Sequence, residues 1–129
     1  MELNSSLFIY FLERLSGIEG LMPDPFFAEG GYTMFRTGGT LNIHADFSRH
    51  DNLGLERRLN VLIYLNDDWK EELGGCFRLY DPSLKPIKEI SPSGNRLLVF
   101  STSDQSFHGF SEAIKCPKEL VRKSIHLYC

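Results

Sequence analysis

The chain has 129 residues, of which 42% are hydrophobic, 24% charged and 12% aromatic, enough for one folded domain with its own core and no disulfide staples. A net charge of -3 and a pI near 5.8 argue against a nucleic-acid partner, because a phosphate-backbone binder carries a basic face. Three cysteines without a CxxC pair exclude a zinc ribbon and favour a reducing, cytoplasmic setting, and the short apolar run 7–10, soon broken by Glu13 and Arg14, fits neither a membrane span nor a signal core.

Residues 5–16 predict a helix: Leu7, Phe8, Phe11, Leu12 and Leu15 recur at three- and four-residue spacing, Ser5 or Ser6 caps the start, and Gly17 and Gly20 end it. The stretch 21–31, with two prolines and two glycines, reads as a loop. From there the punctuation changes. Short apolar or alternating runs at 32–36, 40–47, 58–66, 76–80, 87–90, 96–100 and 121–128 are separated by Gly38-Gly39, Asp51-Asn52, Gly74-Gly75, Asp81-Pro82 and Ser93-Gly94-Asn95. Seven close-spaced strands predict a mainly β sandwich or barrel of antiparallel sheet with the N-terminal helix packed outside. Residues 67–72 predict a turn of helix, and 101–119 read as mostly irregular. The whole, 1–129, reads as a single domain: an N-terminal helix and loop over 1–30, then a β core over 31–129.

The chemistry starts at His44-Ala45-Asp46. Residues two apart in a strand share a face, so imidazole and carboxylate would project together. Taken alone, HxD also describes many exposed strand pairs. His108, in the segment SFHGF, lies 62 residues beyond Asp46 and would complete two histidines and a carboxylate on one side of a metal. That arrangement leaves coordination positions open, as non-haem iron(II) requires. Arg122 follows on the last strand, with Ser124 on the same face. A guanidinium inside a barrel is costly unless paired, and its planar fork matches a carboxylate. A surface arginine on an edge strand is the plain alternative.

In the order HxD, His, Arg-x-Ser, the sequence resembles the prolyl 4-hydroxylase-type branch of the iron(II)/2-oxoglutarate dioxygenases. The resemblance runs from about Tyr32 to Tyr128 through GGTLNIHAD, RLNVLIYLNDDW, CFRLY, NRLLVFSTSD, SFHGF and RKSIHLY. It implies a double-stranded β-helix, or jelly roll, with Fe(II) as cofactor and 2-oxoglutarate and O2 as co-substrates, and with ascorbate as a reductant in vitro. It implies that His44, Asp46 and His108 are the catalytic metal ligands, and that Arg122 binds the distal carboxylate of 2-oxoglutarate. Tyr64 would join that contact, Ser124 would add a donor, and Phe77 would line the co-substrate wall. The family often carries an aromatic hydroxyl about ten residues before the first ligand. Phe35 cannot supply it, which leaves Tyr32 or Asn42, the latter on the face of His44 by alternation. The front of the chain is shorter than in family domains.

The implied reaction is hydroxylation of an unactivated C–H bond, coupled to conversion of 2-oxoglutarate to succinate and CO2. The resemblance favours a prolyl residue of a protein or peptide as substrate, with residues 47–57 as a lid over it. A free amino acid or another small metabolite, a non-catalytic metal-binding jelly-roll module, and a purely structural sandwich remain open. Trp69 reads as a packing residue, and His50 and His126 as solvated or locally satisfied rather than as ligands; His126 shares the face of Arg122 and Ser124. Gly74-Gly75 reads as a turn or bulge, since no phosphate-loop Lys follows.

Overall fold

The computed structural model describes residues 2–129; Met1, counted in the expected N-terminal segment, lies outside them. After a 3-10 turn at Glu2–Asn4, helix α1 spans Ser6–Ser16. The Ser5 hydroxyl accepts the Phe8 N–H at 3.2 Å, and Gly17, left-handed at φ 72°, closes the helix with its N–H on the Glu13 carbonyl. Ten strands follow. Strands β1 (Gly31–Phe35), β5 (Leu59–Tyr64), β8 (Arg96–Ser101) and β10 (Arg122–Tyr128) form one antiparallel sheet in the order β1-β10-β5-β8. Strands β2 (Leu41–His44), β6 (Phe77–Tyr80), β7 (Pro86–Ile90) and β9 (His108–Phe110) form the second, in the order β2-β9-β6-β7. Strands β3 (Arg49–His50) and β4 (Leu55–Glu56) make a separate small hairpin.

The layers are helix, first sheet, second sheet, so the jelly roll with an outside helix is the architecture formed. Alternation along the first sheet explains it. Leu59, Val61 and Leu127 point outward to Ile9 and Leu12 of α1, each of these side chains removed from water for about 1.5–3 kcal/mol. Their neighbours Leu62 and Tyr64 point inward to Phe77 of the second sheet. A third cluster, Trp69, Phe110, Ile114 and Cys116, packs against Phe35 of the first sheet and Leu41 of the second. The buried helix positions are Ile9 and Leu12, whereas Leu7, Phe11 and Leu15 of the predicted stripe are exposed.

Three expectations change. Residues 47–57 fold as the β3–β4 hairpin rather than as irregular chain. The segment around His108, read as irregular, forms β9 and pairs with both β2 and β6. The helical turn expected at 67–72 lies at Glu71–Leu73. Two-residue and three-residue strands carry too few alternating positions to register as a period.

Candidate active site between the two sheets

The inner face of the first sheet is a set of registered rows. Tyr128 pairs with Asn60, His126 with Leu62, and Ser124 with Tyr64; Thr33 flanks Ser124, and Phe35 flanks Arg122. Successive rows are about 6.7 Å apart along the strand. Across from them the second sheet brings His44 directly opposite His108. Gly109 permits this approach: a Cβ there would lie 2.7 Å from the Leu41 carbonyl oxygen and 2.8 Å from that of Asn42.

His44, Asp46 and His108 converge. One ligand atom from each lies within 4.8 Å of the others. His44 Nε2 is 3.5 Å from one Asp46 oxygen, and His108 Nε2 is 3.3 Å from the other. The physical reason differs from strand alternation. Strand β2 ends at His44, so Asp46 belongs to the following turn, and its carboxylate is held by the Asn60 amide, which donates at 2.9 Å. His44 Nδ1 meets the Asn42 carbonyl at 2.7 Å, and His108 Nδ1 meets the Ser106 carbonyl at 2.9 Å. A carbonyl only accepts, so both Nδ1 atoms carry a proton and both Nε2 atoms are turned to Asp46.

The electrostatics agree. Burial pushes the Asp46 carboxyl up, but hydrogen bonds from His108, His44 and Asn60 together hold it well below the ordinary range. The Asp46 carboxylate raises His44, against the effect of burial. Phe77 stacks on His108 at 5.4 Å and Phe100 meets it edge-on at 5.0 Å, which fixes the ring. Two octahedral neighbours bonded to a first-row cation at about 2.1 Å sit about 3 Å apart, so the observed spacings and donor set fit such a metal.

Arg122 lies at the other end of a cavity of about 150 Å3 whose walls also include His44, Asp46, Asn60, His108 and His126. Arg122 is 2% exposed. Its Nε donates to the Gly75 carbonyl at 2.8 Å, and its plane lies over Phe110 at 4.6 Å and Tyr64 at 5.2 Å. No carboxylate pairs with it among the described residues. Burial therefore lowers its pKa. The Tyr64 hydroxyl, also buried, has no hydrogen-bond partner there, and burial drives it to about 12 despite the nearby Arg122 charge. Strand β10 is interior to its sheet, so Arg122 is not on an edge. Gly74-Gly75 is the bend that brings a carbonyl to this arginine: Gly75 has φ +72°, and a Cβ there would lie 2.9 Å from Arg122 Cδ.

The remaining expected residues divide. Phe77 lines the cavity. Asn42 turns its side chain outward and contributes only its carbonyl, to His44. Ser124 is fully buried, off the cavity walls, with its Oγ 3.0 Å from His126 Nε2. Tyr32 is 55% exposed and turned away; Thr33, on the inner face, is the hydroxyl that lines the cavity from β1. Asn60 and His126 were not assigned to the site from sequence. Asn60 is visible in hindsight as the one polar residue in the buried run 59–64. Trp69 is buried and donates to the Gly74 carbonyl at 2.9 Å, so it packs. His50 is buried against Asp24 at 3.5 Å rather than solvated.

Known proteins resemble the chain in sequence and in fold. Mouse prolyl 3-hydroxylase OGFOD1 is 38% identical over 81 residues, covering 59% of this chain and 14% of that protein. Three solved structures share the fold: a prolyl 4-hydroxylase of Phytophthora capsici (21% identity, TM-score 0.64, covering 98% of this chain and 40% of that one); a Trichoplax adhaerens prolyl hydroxylase in complex with a hypoxia inducible factor oxygen degradation domain peptide fragment (23%, 0.59, 93% and 51%); and a Pseudomonas putida prolyl-4-hydroxylase (18%, 0.55, 75% and 48%). The chain thus spans about half of these structures or less, and a small part of the mouse protein. Among the described residues no helix is long and apolar enough to cross a membrane. The model of the 2OG-Fe(II) oxygenase superfamily matches residues 30–129, more than three quarters of the sequence, and the chain belongs to that family, whose cofactor is Fe(II) and whose co-substrates are 2-oxoglutarate and O2.

Proposed function

We propose that this chain carries the active site of a prolyl hydroxylase acting on a protein or peptide, with His44, Asp46 and His108 as the iron ligands and Arg122 as the anchor of 2-oxoglutarate. The observation that carries the reading is the buried Arg122, which has no acidic partner among the described residues and lines the same cavity as the His-Asp-His group. A module that only held a metal would gain nothing from so costly a charge. A dicarboxylate meets it, with the unpartnered Tyr64 hydroxyl beside it. The 38% identity to a prolyl 3-hydroxylase favours a prolyl substrate.

Bound iron(II) supplies the open coordination positions at which 2-oxo acid and O2 are activated for C–H hydroxylation. The protein does the rest. The Asn42 and Ser106 carbonyls keep the two imidazoles in the tautomer that presents Nε2. Asn60 fixes the carboxylate between them. Arg122 sets the direction of the co-substrate, and Phe77, Phe100 and Leu62 keep the space between the ends dry. The β3–β4 hairpin follows the turn that carries Asp46 directly, and in this reading it is the lid over the peptide.

Purified protein with iron(II), ascorbate and 2-oxoglutarate is expected to release succinate and to add 16 mass units to a proline in one peptide of a proline-containing library, with both lost in His108→Ala. Succinate without any modified peptide, but with a modified amino acid or metabolite, would move the substrate assignment. No succinate under any condition would remove the reading.

A further inference from the structure

Three imidazoles border the cavity, and their polarity differs. His44 and His108 have Nδ1 tied to carbonyl acceptors and so offer lone pairs from Nε2. His126 is tied at the opposite nitrogen, by the Ser124 hydroxyl at 3.0 Å. That hydroxyl is fully buried, and no other acceptor for its hydrogen is found among the described residues. If Nε2 were the donor, the hydroxyl hydrogen would be stranded in the core. The arrangement that satisfies both groups has Ser124 donating to Nε2, which leaves the His126 proton on Nδ1. Nδ1 has no hydrogen-bond partner among the described residues, and the ring lines the cavity.

We propose that His126 is a positioning residue for the co-substrate, its Nδ1–H donating to the carboxylate at the metal end while Ser124 locks its tautomer. This rests on the reading of the cavity given above. Its place in the fold supports it. His126 pairs with Leu62, one row from Asn60, which holds Asp46, and two rows from Arg122. It therefore stands between the metal group and the distal anchor. Burial, with the Arg122 charge behind it, pushes the imidazole down to about 4, so it stays neutral. A neutral ring with its proton on the cavity side is a donor and not a fourth ligand. Ser124, expected to touch the co-substrate itself, acts through His126.

Calorimetric binding of 2-oxoglutarate to the metal-loaded protein, with the visible charge-transfer band of the anaerobic iron(II) complex, tests this. His126→Leu should weaken binding about tenfold to a hundredfold and shift the band, since the lost hydrogen bond lies at the chelating end. His126→Asn, whose amide N–H stands at the Nδ1 position, should restore most of both. Ser124→Ala should weaken binding less, and the Ser124→Ala, His126→Leu double variant should be no worse than His126→Leu alone. Should the leucine variant fail to fold, the asparagine and Ser124→Ala proteins carry the same comparison: Ser124→Ala that binds as the parent does, with its band unmoved, overturns the proposal. Unchanged affinity and band in His126→Leu overturn it too, leaving the rest of the site standing. A parent protein that takes metal but no 2-oxoglutarate overturns the reading of the site, and this inference with it.

Discussion

Replacing Arg122 by methionine sets two consequences of one buried charge against each other. Arg122 is 2% exposed, and among the described residues its guanidinium makes one hydrogen bond, to the Gly75 carbonyl, and meets no carboxylate. Taking an unpaired cation out of water costs several kcal/mol. Its removal leaves the Gly75 carbonyl without a donor, at about 1–3 kcal/mol. The first effect is the larger, and methionine fills most of the volume. The ligand-free Arg122→Met protein should therefore be as stable as the parent or more so. Binding should move the other way. Truncating one partner of a buried, hydrogen-bonded charge pair costs about 2–5 kcal/mol, or roughly thirtyfold to several thousandfold in the dissociation constant of 2-oxoglutarate. Saturating 2-oxoglutarate, at about 100 times its dissociation constant, should stabilise the parent by about 2.7 kcal/mol and leave the variant nearly unmoved. Urea unfolding with and without ligand, in manganese(II)-loaded protein, measures both. A variant that loses stability yet keeps its affinity would refute the assignment of Arg122 to the ligand.

Asn60→Ala should weaken metal binding about tenfold to a hundredfold with little change in fold, because Asn60 holds Asp46 from outside the proposed ligand set; a metal titration showing equal affinity would refute that role. Gly75→Ala places a Cβ 2.9 Å from Arg122 Cδ at a residue with φ +72°, so it should lower stability by about 1–3 kcal/mol and weaken 2-oxoglutarate as well; thermal unfolding with calorimetry checks it, and a neutral result on both counts counts against the close packing described. His126 has a folded pKa of about 4 against an ordinary 6.5. The unfolded chain takes up the proton first, so this residue's contribution is complete above about pH 6.5 and is lost as pH falls towards 4. Relative to the parent, His126→Asn should therefore flatten the fall in stability over that range, by less than the ceiling of about 1.4 kcal/mol per pH unit because the ring is partly solvated. Parallel stability–pH curves for the two proteins would contradict the burial that sets this pKa.

The four groups His44, Asp46, His108 and Arg122 were legible as residue types in order, because each is a polar side chain placed on or beside an apolar run. What brings them together was less so. Alternation would align His44 with Asp46, but the strand stops at His44 and a cross-sheet amide, Asn60, does the positioning. Alternation likewise put Asn42 in the cavity, where the irregular register of β2 against β9 turns it out. Sheet order depends on pairings such as β1 with β10, made by residues about ninety positions apart, and local periodicity carries nothing about those. Gly75 was legible as a bend; that the bend delivers a carbonyl to Arg122 needed the fold. The direction of the Ser124–His126 hydrogen bond followed only from counting donors and acceptors in three dimensions.

The most direct measurement is an anaerobic titration of the iron(II)-loaded chain with 2-oxoglutarate, followed in the visible. A saturable charge-transfer band in the parent, absent from His108→Ala and needing far more 2-oxoglutarate in Arg122→Met, is the predicted result. A chain that binds iron(II) but develops no band at any 2-oxoglutarate concentration, or an Arg122→Met protein that saturates like the parent, would contradict the account.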